Sequence, residues 1–179
     1  MMSDTIVSGW GLTNPVSVRQ TFPKSIEDLE NLINSAHPKS IITRGLGRSY
    51  GDAAQLEKAN VIRMDNFSFI DLKIEKNEVT TGSGMNFDKL LNYIIPKGFF
   101  IPVSPGTRYV TVGGAIASDV HGKNHHVDGS FGNHVKSILI IDGNGELKRL
   151  NKSSSKENER KQFWATIGGM GLTGVIIEA

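Results

Sequence analysis

Apolar residues recur in this chain with two different periods, and the change from one to the other divides it into short strands and helices. Val16, Ser17, Val18 and Arg19 alternate as a strand does. Ser25 then stands where a helix N-cap belongs, with Asp28 in the first turn and Ile26, Leu29, Leu32 and Ile33 along one face. A brief apolar run at 40–43 predicts another strand, which leads straight into Arg44-Gly45-Leu46-Gly47-Arg48-Ser49-Tyr50-Gly51. That segment is too rich in glycine to continue a strand or to start a helix. Runs at 61–64 and 70–74 read as strands, and a turn at Lys76-Asn77 returns the chain through 78–81 as a hairpin. A second helix is predicted over 86–95, where Phe87, Leu90, Leu91 and Ile94 keep helical spacing and Pro96 and Gly98 end it. Further on, 135–142, the turn Gly143-Asn144-Gly145 and 146–150 form a hairpin, 157–167 is helical and 173–178 is a last strand.

Residues 102–133 keep neither period. They are dense in Gly, Ser, Asn and His and too long for an ordinary connection, which marks a functional or disordered segment; the apolar pieces within 110–117 favour the former. Strands and helices intermix without strict βαβ alternation, and hairpins are present, so the fold class expected is α+β rather than a doubly wound parallel sheet.

Composition narrows the function classes. The net charge is only +2, from 20 basic and 18 acidic residues, and so argues for no nucleic-acid partner. The most charged stretch, 148–161, mixes both signs, and its Ser153-Ser154-Ser155 run reads as a mobile loop. Absence of cysteine excludes disulfides, thiolate catalysis and cysteine-ligated metals, so any redox chemistry needs a cofactor. Residues 1–10 lack a leader pattern, and no stretch approaches the roughly 20 apolar residues of a membrane span. No transmembrane segment is therefore expected; a cytoplasmic location is the default, with peripheral attachment to a membrane left open.

Glycine stands out at 20 of 179 residues, against an average usage of roughly 7%. Gly45, Gly47 and Gly51 follow a strand and would let several backbone N–H groups approach an anion, with Arg44 and Arg48 beside them to pair with phosphate oxygens. A tight turn packed under a helix would need the same glycines. A Rossmann reading fails because the spacing is one residue off and 52–60 has no apolar stripe for the required helix; a P-loop fails because no Gly-Lys-Ser/Thr follows. Thr111-Val112-Gly113-Gly114-Ala115-Ile116-Ala117 has side chains small enough to lie against a flat ligand or to pack closely as a helix. His121 and His125 are four apart, but Gly122 and Asn124 are poor helix formers and no accompanying glutamate is present, so no metal site is expected. Phe163 and Trp164 read as core residues of the last helix, ahead of a glycine-rich turn.

Six segments in order carry a resemblance: R-G-L-G-R-S-Y-G-D at 44–52, P-G-T at 105–107, T-V-G-G-A-I-A at 111–117, H-G-K-N-H-H at 121–126, G-S-F-G-N-H-V at 129–135 and F-W-A-T-I-G-G-M-G-L-T-G at 163–174. Together they resemble the vanillyl-alcohol-oxidase-type (PCMH-type) FAD-binding domain, over nearly the whole chain from Gly9-Trp10-Gly11 onward. The resemblance implies a two-lobed α+β domain, with lobes at about 14–100 and 101–179, and FAD stretched between them. It assigns Arg44, Gly45, Leu46, Gly47, Arg48, Ser49, Tyr50, Gly51, Asp52, Gly106, Thr111, Val112, Gly113, Gly114, Ser118, Asp119, Val120, His121 and Gly122 to the FAD surface, and Val175 and Ile176 to its adenine-side half. Many relatives bind FAD through a histidine where this chain has Arg48, so noncovalent FAD is expected.

The activity implied is FAD-dependent oxidation of a sugar hydroxyl to a ketone. In the part of the family most resembled, this is the 2′-hydroxyl of a ribose on a lipid phosphate carrier, the first half of an epimerisation that a partner short-chain reductase completes, in cell wall biosynthesis. A lysine and a tyrosine that meet the substrate would lie in a C-terminal substrate domain absent from this chain, which alone is expected to be inactive; His121 is the one catalytic candidate within it. Alternatives are an FAD-linked aldonolactone or alditol oxidase and, from another class, a non-enzymatic nucleotide-binding module or a truncated fragment.

Overall fold

The computed structural model describes residues 4–36 and 40–179. Its first sheet has the order β1-β2-β4-β3, formed by β1 (Asp4–Val7), β2 (Val16–Thr21), β3 (Ile41–Arg44) and β4 (Asn60–Arg63). β1 runs antiparallel to β2, whereas β2, β4 and β3 are parallel, with Val61 opposite both Gln20 and Ile42. Helix α1 (Ile26–Ser35) connects β2 to β3, and a reciprocal cap fixes its start: the Asp28 amide donates to Ser25 Oγ at 3.0 Å, and the Lys24 amide donates to Asp28 Oδ2 at 2.8 Å. Sequence alone did not suggest β1, whose four residues form only half a pattern.

β5 (Ile70–Lys73) and β6 (Glu78–Thr81) form the expected hairpin. Ile74 leaves the strand for a 3-10 turn, Ile74–Lys76, which Asn77 closes at φ 52°. α2 (Phe87–Ile94) follows, capped by Asn86, whose side chain accepts from the Lys89 amide. A 3-10 turn containing Pro96 and a left-handed Gly98 ends it. The long aperiodic segment contains α3 (Val112–Ala117) and the single turn α4 (His125–Asp128).

A third sheet has the order β8-β7-β9, from β7 (Ser137–Ile141), β8 (Leu147–Asn151) and β9 (Val175–Glu178), all antiparallel, with α5 (Glu157–Thr166) between β8 and β9. This sheet is covered on both faces. Ile138, Ile140, Leu150 and Ile176 pack with α2, α3 and Phe163 of α5 in one cluster. Ile141, Val175 and Ile177 pack with Leu29 of α1 and with Ile62, Met64 and Phe67 in another. Two covered faces account for the uninterrupted apolar runs of β7 and β9, where a half-exposed strand would alternate. The larger cluster joins residues on both sides of position 100. Backbone bonds in both directions between Thr81 and Ala179 tie the hairpin to this sheet.

Two local expectations change. Trp164 is 43% exposed, because neighbouring positions on α5 point to different sides and only Phe163 reaches the core. The serine run after β8 is tied down: Glu159 accepts from the Asn151 amide and from Ser154 Oγ, and Arg160 donates to the Ser154 carbonyl.

Candidate cofactor site

Strand β3 delivers the chain into the glycine loop at the end of its parallel sheet. Residues 9–11 hold that loop from behind: the Trp10 amide donates to the Ser49 carbonyl at 2.7 Å and the Gly11 amide to the Tyr50 carbonyl at 3.2 Å. A Cβ on Gly9 would lie 2.0 Å from the Gly51 carbonyl oxygen, so only glycine permits this approach. The carbonyls of Ser49 and Tyr50 are thereby occupied, while the amides of residues 45–51 donate to no protein acceptor among the described residues. Consecutive N–H groups without protein acceptors, in a loop that includes a left-handed residue, Gly47 at φ 64°, are donors of the kind that can hold an anion.

This loop is one wall of a groove of about 570 Å³. The opposite wall comes from residues 105–111, and α3 closes the floor with Thr111, Gly114 and Ser118. Thr111 caps α3 by accepting from the Gly114 amide at 3.1 Å. The first two amides of that helix are already used, by the Met85 and Ser83 carbonyls. The glycine loop, rather than the helix start, therefore supplies the free donors.

Of the sequence-predicted residues, the structure brings Gly45, Leu46, Gly47, Arg48, Ser49, Tyr50, Gly106, Thr111, Gly114 and Ser118 together around the groove. Others stand elsewhere. Arg44 faces the protein interior, donating Nη1–H to the Ala54 carbonyl at 3.0 Å and Nη2–H to the Ser8 carbonyl at 2.6 Å. Burial, and then the nearby charge of Arg63, hold its guanidinium below the usual arginine range. Val112, Val175 and Ile176 belong to the apolar core. Gly113 is small because its Cβ would come within 2.9 Å of Ser83 Cβ, which is close packing of helix on chain. Gly51 and Asp52 lie just beyond the groove lining.

His121 and Gly122 border a second, adjoining cleft of about 780 Å³, which shares Pro105 and Gly106 with the groove. Among the described residues no group of three or more acidic or histidine side chains is arranged to hold a metal. Val120, within the run 118–121 that the resemblance assigns to FAD, does line the groove. Sequence reasoning did not single out Tyr109 and Val110 as lining residues, and it used Trp10 only to mark where the resemblance begins. Their positions depend on how loops fold back, and no local pattern signals that.

A groove lined by loop amides that have no protein acceptor among the described residues suits a phosphate-bearing cofactor. The family described as the FAD binding domain matches residues 20–151. This chain belongs to that family. The matched FAD-binding region contains the glycine loop, both groove walls and α3. Over 175 residues the chain is 42% identical to decaprenylphosphoryl-beta-D-ribose oxidase of Mycolicibacterium smegmatis, covering 96% of this chain and 37% of that protein. It is 24% identical to the mitochondrial L-galactono-1,4-lactone dehydrogenase of Arabidopsis thaliana over 96% of this chain and 28% of that one. D-2-hydroxyglutarate dehydrogenase of Stutzerimonas stutzeri is 28% identical over 88% of this chain and 35% of its own length. The chain thus spans about a third of each of these curated relatives. FAD is its cofactor class, and the mixed helix and sheet architecture agrees with a PCMH-type FAD-binding domain.

Proposed function

We propose that this FAD-binding domain serves an oxidoreductase that oxidises a sugar hydroxyl to a ketone, with a ribose carried on a polyprenyl phosphate as the substrate class. The observation that carries the cofactor reading is the row of amides at 45–50, without a protein acceptor among the described residues, along the groove. The substrate class rests on the 42% identity to a protein named as decaprenylphosphoryl-beta-D-ribose oxidase. When bound, FAD would take the hydride from the carbon that bears the hydroxyl.

The residues of this chain bind and orient. The loop amides offset the negative charge of the diphosphate without needing lysine, while Thr111 and Gly114 let the cofactor lie close to α3. Arg48 offers no nucleophilic imidazole for a covalent flavin link at its position, so the FAD is dissociable. In this reading the domain has two lobes with the cofactor between them, and His121, exposed in the adjoining cleft, orients the substrate hydroxyl. A short-chain reductase would consume the ketone, and a lipid-borne substrate would bring the protein to a membrane surface. No helix among the described residues is long and apolar enough to cross one.

The test is spectroscopic. The full-length protein is incubated with FAD and desalted, and polyprenylphosphoryl ribose is then added without oxygen. Flavin absorbance that survives desalting, leaves on denaturation and bleaches with this substrate is the expected result. Bleaching by an aldonolactone instead would overturn the substrate class, and a colourless folded protein would overturn the flavin reading.

A further inference from the structure

The groove walls come from segments far apart in sequence, and among the described residues one hydrogen bond joins the loop at 45–51 to the loop at 105–111. Arg48 makes it, donating Nε–H to the Tyr109 carbonyl at 3.0 Å across 61 positions. The same guanidinium lies over the Trp10 ring, 4.1 Å from its centroid. Trp10 is in turn fixed to the loop by the hydrogen bond that its amide donates to the Ser49 carbonyl. Three chain segments therefore meet at one cation. Trp10 is 55% exposed and Tyr109 46% exposed, so the contact can part without opening the core.

We propose that Arg48 and Trp10 form a clasp over the groove: Arg48 is a positioning residue that holds the two walls together and sets how fast the bound dinucleotide leaves. The clasp rests on the reading that the groove holds FAD. Its stacking half is a cation–π contact that is only partly desolvated, and its other half is a single hydrogen bond to a carbonyl. Either is weak enough to open on the timescale of ligand release. Losing both together is expected to speed release about tenfold, because affinity changes within one site appear chiefly in the dissociation rate.

The experiment measures FAD dissociation from the full chain by the return of free-flavin fluorescence after dilution, for the parent, Arg48→Met, Trp10→Ala, Trp10→Tyr and the double variant Trp10→Ala/Arg48→Met. Melting temperature is recorded for each, so that a variant that fails to fold is recognised; Trp10→Tyr, which keeps a ring under the cation, then carries the comparison. The clasp predicts that Arg48→Met, which removes both halves, releases FAD about tenfold faster, and that Trp10→Ala, which removes only the stacking half, releases it about three- to tenfold faster. It predicts that the double variant releases no faster than the quicker single variant, and that Trp10→Tyr stays within about threefold of the parent. Release within twofold of the parent in either single truncation overturns it, as does a double variant whose rate is the product of the two effects. A parent that folds but takes up no FAD overturns the flavin reading along with the clasp, whereas normal uptake with unchanged release rates overturns the clasp alone.

Discussion

At the residue scale, space rather than charge dictates identity around the groove. A methyl on Gly9 would meet three backbone oxygens, those of Gly51 at 2.0 Å, Tyr50 at 2.8 Å and Ser49 at 2.9 Å, and backbone cannot step aside as a flexible side chain can. Gly9→Ala should therefore destabilise the protein by about 1–3 kcal/mol and weaken FAD uptake by displacing the loop. Gly51→Ala meets nothing within 4 Å and should leave stability within about 0.5 kcal/mol of the parent. Urea denaturation of both variants tests the contrast, and equal losses would refute it. Arg44 shows why residue-level reading stops short. Its charge suggested a phosphate partner, but the carbonyls that claim it belong to Ser8 and Ala54, and the sequence around Arg44 does not reveal that Ser8 folds back to meet it.

At the scale of elements, caps and turns carry information that local sequence expresses well. Ser25 and Asp28 were legible as a helix start, and the reciprocal bonds of that cap predict a loss of about 1 kcal/mol for Ser25→Ala, measurable by urea titration. The β7–β8 turn makes a pH prediction. Burial alone would raise the Asp142 pKa, but the bond from Lys148 and those from the Glu146 and Asn144 amides outweigh it and hold the carboxyl below its usual range. A depressed folded-state pKa stabilises above the unfolded value and loses that contribution as pH falls through the folded one. Asp142→Asn should therefore lower stability at pH 7 and become progressively indistinguishable from the parent as the pH drops below about 3.8. Melting curves across that range check this, and a penalty that persists unchanged into strong acid would contradict it. The segment at 102–133 was less legible. α3 has only six residues, two of them glycine, which is too short to show a period and too poor in propensity to announce a helix. It is helical because Thr111 caps it and the carbonyls of Met85 and Ser83 receive its first amides.

At the scale of the whole molecule, the sheet formed by β7, β8 and β9 is the shared partner of two cores, and the groove stands where loops from both sides meet. Ligand that binds only the folded state should stabilise the entire assembly. FAD at a hundredfold excess over its Kd is expected to add about 2.7 kcal/mol, a rise of roughly 5–10 °C in melting temperature for a chain of this size. A thermal shift series with FAD, with riboflavin as the diphosphate-free comparison, tests this. A similar rise with riboflavin would mean that the loop amides are not the main binding surface.

Sequence by itself determined the α+β class, most strands and helices, the capped start of α1 and the glycine loop as a binding candidate. These follow from period, capping chemistry and the absence of side chains, all of which act over a few residues. Tertiary structure alone decided which loop donors stay free, why Arg44 serves the interior while Arg48 bridges the groove, and that Val112, Val175 and Ile176 are core. Each of those outcomes depends on which backbone carbonyl or apolar surface a distant segment brings near, and no local pattern encodes such a meeting.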